Sequence, residues 1–327
     1  MTEASTLGTI ALYLVIIGAA VNAITWMIVF YRKYFSDKTL RLQNPYWEAK
    51  NKPVLHTTIQ GIIIGVTMFF DTLGIGGNAP QTALFKLTKT VKDNLIPGTL
   101  NTCTLVGSAT ETMLFVSGVA VDPLTLVSLI ASVTIGTKIG AKYVSHFPLK
   151  PIRLILGFGL IVVATTMVLR QLGLWVPGTG LAIGLEGWKL IAAIILFFIV
   201  GLLAAGGIGG YAFMIAICYG FGMDPRSAFP VMFGAYTFLM LASGLTFLKN
   251  DALDYRANAI GVITGTIGVL LAFFIVKSMP LNVLFWLVIV IVGYTAVLML
   301  VAGFRDKEAK EAAKAKAEAE EAAAAAE

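Results

Sequence analysis

Residues 56–94 read HTTIQGIIIGVTMFFDTLGIGGNAPQTALFKLTKTVKDN, an apolar run interrupted at its middle by Gly74-Ile75-Gly76-Gly77-Asn78-Ala79-Pro80. Glycine costs a helix interior about 1 kcal/mol and proline about 3 kcal/mol, so one continuous helix through that stretch is disfavoured. Inside a bilayer, broken backbone survives only where protein or a water-filled cavity covers its free N–H and C=O groups. The spacing predicts two part-helices meeting at a glycine tip near mid-membrane, the kind of place where transporters hold substrate.

The motif returns. Gly206-Gly207-Ile208-Gly209-Gly210 interrupts a second apolar run, and a shift of 133 carries Gly74 to Gly207 and Gly77 to Gly210. The same shift carries Pro97 to Pro230 and Thr104 to Thr237. Thr134-Ile135-Gly136 matches Thr266-Ile267-Gly268, and Pro148 matches Pro280, at a shift of 132. Ordered matches at a nearly constant offset indicate an internal duplication with a single one-residue gap.

With 57% hydrophobic and 13% charged residues and a mean hydropathy of +0.85, the chain is far more apolar than a soluble domain. Apolar stretches of about 20 residues fit helices across a core of about 30 Å, and the ten-residue alternation of a membrane barrel is absent. The net charge of +6 comes from loop lysines and arginines, which membrane topology accounts for without a nucleic-acid partner. Cys103 and Cys218 make no CxxC or metal pattern.

Taken in order, 1–56 reads as an uncleaved transmembrane helix, Leu7 to Phe30, and a loop with Arg32, Lys33, Lys38, Arg41, Lys50 and Lys52. That loop is expected on the cytoplasmic side and the N-terminus outside. A first unit, 57–173, holds a broken hairpin (57–90) and three crossings, Leu95–Gly118, Leu124–Ser145 and Ile152–Leu172. After an external loop, 174–188, a second unit, 189–303, repeats the plan with a hairpin (189–222) and crossings at Phe229–Leu248, Ala257–Val276 and Leu281–Gly303. An odd number of crossings per unit makes the two copies point in opposite directions. The expected fold is therefore an all-α polytopic membrane protein, an inverted repeat of two units, each a broken or re-entrant helical hairpin plus three transmembrane helices, with an extra N-terminal helix. Residues 304–327 form an Ala/Glu/Lys-rich tail, polar all round and expected in the cytoplasm.

Half-helices that aim their N-termini at a cavity present free N–H groups and about half a positive charge, which suits an anion. The first begins at Asn78, Ala79, Pro80, Gln81 and Thr82, the second at Tyr211. Gly76, Gly77, Gly209 and Gly210 would let an oxyanion approach the backbone; the competing reading is that they only permit tight helix packing. On the crossing after the first hairpin, Asn101, Thr104, Ser108 and Glu111 share one helix face. Thr104 and its repeat partner Thr237 are candidate oxyanion donors, unless their hydroxyls bond their own helices. Asp71 and Glu111 are acids within the membrane, which mark either an ion path or a buried hydrogen bond. Ala204 and Gly244 stand in their places in the second unit, so only one unit would carry coupling to a proton or sodium ion. Lys138 is read as snorkelling to the interface, and His56 and His146 as lying at membrane edges.

The paired glycine tips, Pro97 and Pro230, and the Gly-then-Pro pattern at Gly136/Pro148 and Gly268/Pro280 resemble the sulfite exporter TauE/SafE family of membrane permeases. The similarity covers about 57–303; the first helix and its basic loop are longer than the family implies. The resemblance implies a carrier, without a bound cofactor, for sulfite, sulfonates or related sulfur or organic anions in the bacterial inner membrane. The leading expectation is a secondary transporter, an exporter of a small anion working by alternating access. A passive channel, a permease for another small organic anion and a non-transporting scaffold are the alternatives. An intramembrane enzyme is disfavoured, because redox chemistry lacks a cysteine pair and a Ser–His protease would need Ser108 or another buried serine beside His56 or His146, both expected at membrane edges. Oligomeric state is not readable.

Overall fold

The computed structural model describes residues 6–36, 53–74, 76–143, 149–172, 174, 182–204 and 210–324. The chain is an all-α polytopic membrane protein. Its twelve described α-helices are α1 (Thr6–Ser36), α2 (Pro53–Thr72), α3 (Asn78–Thr88), α4 (Ile96–Cys103), α5 (Leu105–Gly118) and α6 (Pro123–Tyr143), followed by α7 (Leu149–Gln171), α8 (Gly187–Ala204), α9 (Tyr211–Gly220), α10 (Pro225–Lys249), α11 (Tyr255–Ser278) and α12 (Leu281–Ala324). Six of them carry apolar stretches long enough to span a bilayer: α1, α6, α8, α10, α11 and α12. Among the described residues no strand forms, and the sole β-bridge joins Ala182 to Met223.

The first hairpin breaks where glycine and proline predict. α2 stops at Thr72 and α3 restarts at Asn78, and between them Gly74 and Gly76 take φ of +88° and +85°, a left-handed region that side chains with a Cβ seldom enter. The base of this hairpin is clasped by Thr90, whose carbonyl accepts from Gln60 Nε2 at 2.8 Å and lies 3.0 Å from His56 Nε2. α8 and α9 form the second hairpin; residues 205–209, including Gly209, lie outside the described residues, as does His146.

The packing partners of the two units exchange. α2 lies along α11 and α8 lies along α6, while α5 pairs with α10 and α7 with α12. The repeated Thr-Ile-Gly explains why glycine is needed at these contacts. A Cβ on Gly136 of α6 would stand 2.2 Å from the Phe198 carbonyl oxygen of α8, and one on Gly268 of α11 would stand 2.2 Å from that of Gly65 in α2. Two helices can approach this closely only where the contact residue has no side chain. Asp122 and Asp254, also 132 apart, start α6 and α11 alike. Asp122 accepts from Thr125 N at 2.8 Å, and Asp254 from Ala257 N at 2.9 Å, each satisfying an orphan donor of a first turn.

The crossing expected as one helix over Leu95–Gly118 is broken at Thr104 into α4 and α5. The Thr104 hydroxyl donates to Leu100 O at 2.8 Å; such back-bonding competes with the helix ladder and bends it. α1 packs on α5 and α10, burying Trp26 and Phe30. Its end is fastened by Lys33, which donates to Leu248 O and pairs with Asp251, both at 2.7 Å. The tail does not separate from the last crossing: α12 runs on through it to Ala324.

Candidate functional site

α3 has 11 residues and α9 has 10, which at about 1.5 Å per residue makes each about 15 Å long, half of a hydrocarbon core of about 30 Å. Both start at a glycine, Gly77 and Gly210, and neither start is capped by a side chain. The orphan N–H groups of two half-helices are thus presented inside the protein.

They face one cavity of about 470 Å³. Gly76, Asn78 and Thr82 line it from the first hairpin, Ala204 and Tyr211 from the second, and Asn101 from α4. Leu100, Leu239, Leu298 and Met299 supply an apolar wall. Tyr236 of α10 joins the two tips. Its ring lies 4.2 Å from that of Tyr211, and its hydroxyl accepts from Asn78 Nδ2 at 2.7 Å. Lys86 and Asp93 stand at the mouth. Asn78, Thr82 and Lys86 recur every four residues, one stripe along α3, a spacing that would have pointed to Lys86 in the sequence.

A buried aromatic plug adjoins the cavity through Tyr211. Phe229 and Phe233 precede Tyr236 on α10, and their rings stack 5.7 Å apart, with Phe115 of α5 at 5.6 and 4.8 Å from them. All three are buried. Tyr211 touches this plug through Phe233, at 6.0 Å between centroids.

Behind Tyr211 lie the acids. Asp71 is 5% exposed and Glu111 is fully buried. Gly77 N–H donates to Asp71 Oδ1, and Thr72 Oγ1 donates to Glu111 Oε1 at 2.6 Å. Tyr211 Oη faces Asp71, and Ser108 Oγ faces Glu111. Yet Tyr211 Oη, Ser108 Oγ and Glu111 Oε2 complete no hydrogen bond. The phenol of Tyr211 therefore separates a cavity from a carboxylate pair and touches both.

Other sequence candidates sit elsewhere. The Gly77 N–H is taken by Asp71 and so does not point at the cavity. Gly210 is buried at the start of α9 and is not part of the cavity wall. Gln81 is fully buried on the far side of α3, where its Nε2 donates to Cys103 Sγ at 3.2 Å. Thr104 spends its hydroxyl on Leu100 O, as the back-bonding alternative had it, and Thr237 Oγ1 lies 2.9 Å from Thr112 Oγ1; neither reaches the cavity. Thr82 lines it, but its hydroxyl proton goes to Asn78 O at 2.7 Å, leaving its lone pairs rather than a donor. Tyr236 and Tyr294, which line the cavity, carried no signal in the sequence, because nothing local distinguishes a cavity tyrosine from a core one. Lys138 is exposed on α6.

A half-helix hairpin of this kind occurs in unrelated carriers, and a comparison with known families decides between them. Residues 191–326 match the sulfite exporter TauE/SafE family. The TauE/SafE match spans most of the second unit and runs into the tail, so it bears out the resemblance over the part of the chain that contributes Tyr211, Tyr236, Phe229 and Phe233. No curated protein and no solved structure matches the chain. The matched stretch is similar to a family of sulfite exporters, and together with six helices apolar and long enough to cross a bilayer it supports a multi-pass membrane protein.

Proposed function

We propose that this chain is a secondary transporter, acting as an exporter, for a small anion of the sulfur oxyanion or organosulfonate class, working by alternating access between two inverted repeats. One observation carries the reading: the first residues of two half-helices, Asn78 and Tyr211, from the two halves of the chain, line a single cavity. Two positive dipole ends favour a negative guest; Asp71 bonds Gly77 from outside the cavity lining, and the acid that lines the cavity, Asp93, stands at its mouth. Lys86 on the lining is exposed to solvent while Phe115, Phe229 and Phe233 next to Tyr211 are buried, an asymmetry that supports one of the two states of a carrier. The exchanged pairing of α2 with α11 and α8 with α6 supports the inverted repeat. The Asp71–Glu111 pair behind Tyr211 serves as the coupling site, taking up a cation as the anion arrives. The TauE/SafE match supports sulfite or a related anion. By the basic-loop rule the Lys86 mouth and the C-terminal tail face the cytoplasm of a bacterial inner membrane.

The test is flux. Purified protein in liposomes loaded with labelled sulfite or a sulfonate moves it across the membrane, and moves it uphill when an ion gradient is imposed. A flux that only ever runs downhill makes the protein a channel, and no flux of any anion ends the transport reading.

A further inference from the structure

The pocket behind Tyr211 holds more oxygen than its hydrogen bonds account for. Ser108 Oγ and Glu111 Oε2 belong to residues with no solvent exposure, and neither has a partner. Tyr211 Oη, 6% exposed at the residue, is also unpartnered. A dehydrated hydroxyl or carboxylate oxygen left this way is costly, and here two such hydroxyls face the carboxylate pair to which the third oxygen, Glu111 Oε2, belongs. Hydroxyl protons rotate freely, so three such groups in hydrogen-bond reach would pair among themselves. They interact with one another and with the two carboxylates, yet none of the three completes a well-formed hydrogen bond. A hard cation holds oxygens at about 2.3–2.6 Å, which sets neighbouring ligand oxygens about 3.5 Å apart, just past hydrogen-bond reach.

We propose that Asp71, Glu111, Ser108 and Tyr211 form a binding site for one dehydrated sodium ion, with Thr72 orienting Glu111. This rests on the coupling role given above to the acid pair and names its ion. The charge balance favours a single positive charge. The Asp71 carboxylate already receives the Gly77 N–H and lies at the positive start of α3, which leaves Glu111 as the uncompensated anion. The donor set is oxygen only, and no group of three or more His, Cys, Asp or Glu residues occurs among the described residues, so transition metals are not suited. Magnesium keeps several waters, and Ser108 and Glu111 have no solvent exposure. Because Tyr211 belongs both to this cage and to the cavity wall, a bound ion would draw its hydroxyl inward and fix the ring that shapes the anion site.

The measurement uses purified protein in detergent with no anion substrate, so it is independent of transport. Melting is followed by the fluorescence of the five tryptophans as NaCl replaces choline chloride at constant ionic strength. Sodium is expected to raise the melting temperature by several degrees along a saturable curve, with potassium much weaker. Ser108→Ala, which removes one ligand and adds no bulk, is expected to shift the midpoint at least tenfold to higher sodium, and Glu111→Gln to abolish the response. An unchanged melting curve in sodium, an equal response to potassium, or a response to pH alone would each overturn the proposal. Sodium stabilisation without anion flux in liposomes would overturn the transport reading and leave this site standing; full anion flux without sodium stabilisation would do the reverse.

Discussion

Asn78 Nδ2 donates 2.7 Å to the hydroxyl of Tyr236, 158 residues further along the chain. The first residue of one half-helix is thereby bonded to the helix that follows the other, and both groups sit on the cavity wall. Since Asn78 supplies the proton, the Tyr236 hydroxyl keeps its own for a guest. This one bond both ties the hairpin tips together and aims a donor at the site.

Tyr236→Phe removes that donor but keeps the ring stacked on Tyr211. A lost hydrogen bond to a charged group is worth about 1.5–3 kcal/mol, so the anion should bind roughly ten- to a hundredfold more weakly. Asn78→Ala should cost about 1 kcal/mol of stability and weaken transport similarly. Binding of labelled anion and melting temperature, measured on both variants, separate the two effects.

Gly136→Ala and Gly268→Ala should be equally harmful. Each would drive a Cβ to 2.2 Å from a backbone carbonyl of the facing hairpin helix, and backbone cannot step aside as a flexible side chain does. Overpacking of this kind costs about 1–3 kcal/mol or more. Gly159→Ala and Gly293→Ala, where a Cβ meets nothing within 4 Å, should be neutral within about 0.5 kcal/mol. Melting temperatures of the four variants make the comparison; unequal losses at Gly136 and Gly268 would speak against equivalent packing of the two units.

Lys86 stands at the cavity mouth without a salt bridge to Asp93. Its charge raises the local concentration of anions, an effect screened over about 10 Å at 0.1 M salt and about 3 Å at 1 M. Lys86→Gln should therefore raise KM several-fold at low ionic strength, with the difference shrinking as salt rises. Transport assayed at two salt concentrations reads this directly.

Thr237→Val should leave anion transport within about twofold of the parent. The Thr237 hydroxyl faces Thr112, not the cavity, and Thr112 retains a bond to Ser108 O at 3.0 Å. Thr104→Val should behave likewise, since Thr104 bonds its own helix. A large loss of affinity in either variant would bring the threonines back as ligands.

The all-α membrane class and the places where the first hairpin bends were legible because their causes are local. Composition decides whether a segment tolerates lipid, and Gly74, Gly76 and Pro80 break a helix through their own backbones. The duplication was legible because Gly136 and Gly268 lie at a fixed offset; the offset of Asp122 and Asp254 was equally available and would have marked the two helix starts. Which side chains reach the cavity was not written locally. Thr104 and Asn101 share a helix face, yet a break at Thr104 leaves Asn101 on the wall and Thr104 behind it. Gly77 was expected to offer its N–H outward, and Asp71 takes it. Tyr236 becomes a site residue only through Asn78 and Tyr211, which reach it from two other helices. Spacing along a chain fixes the face a residue shares, but only the packing of distant helices decides what that face meets.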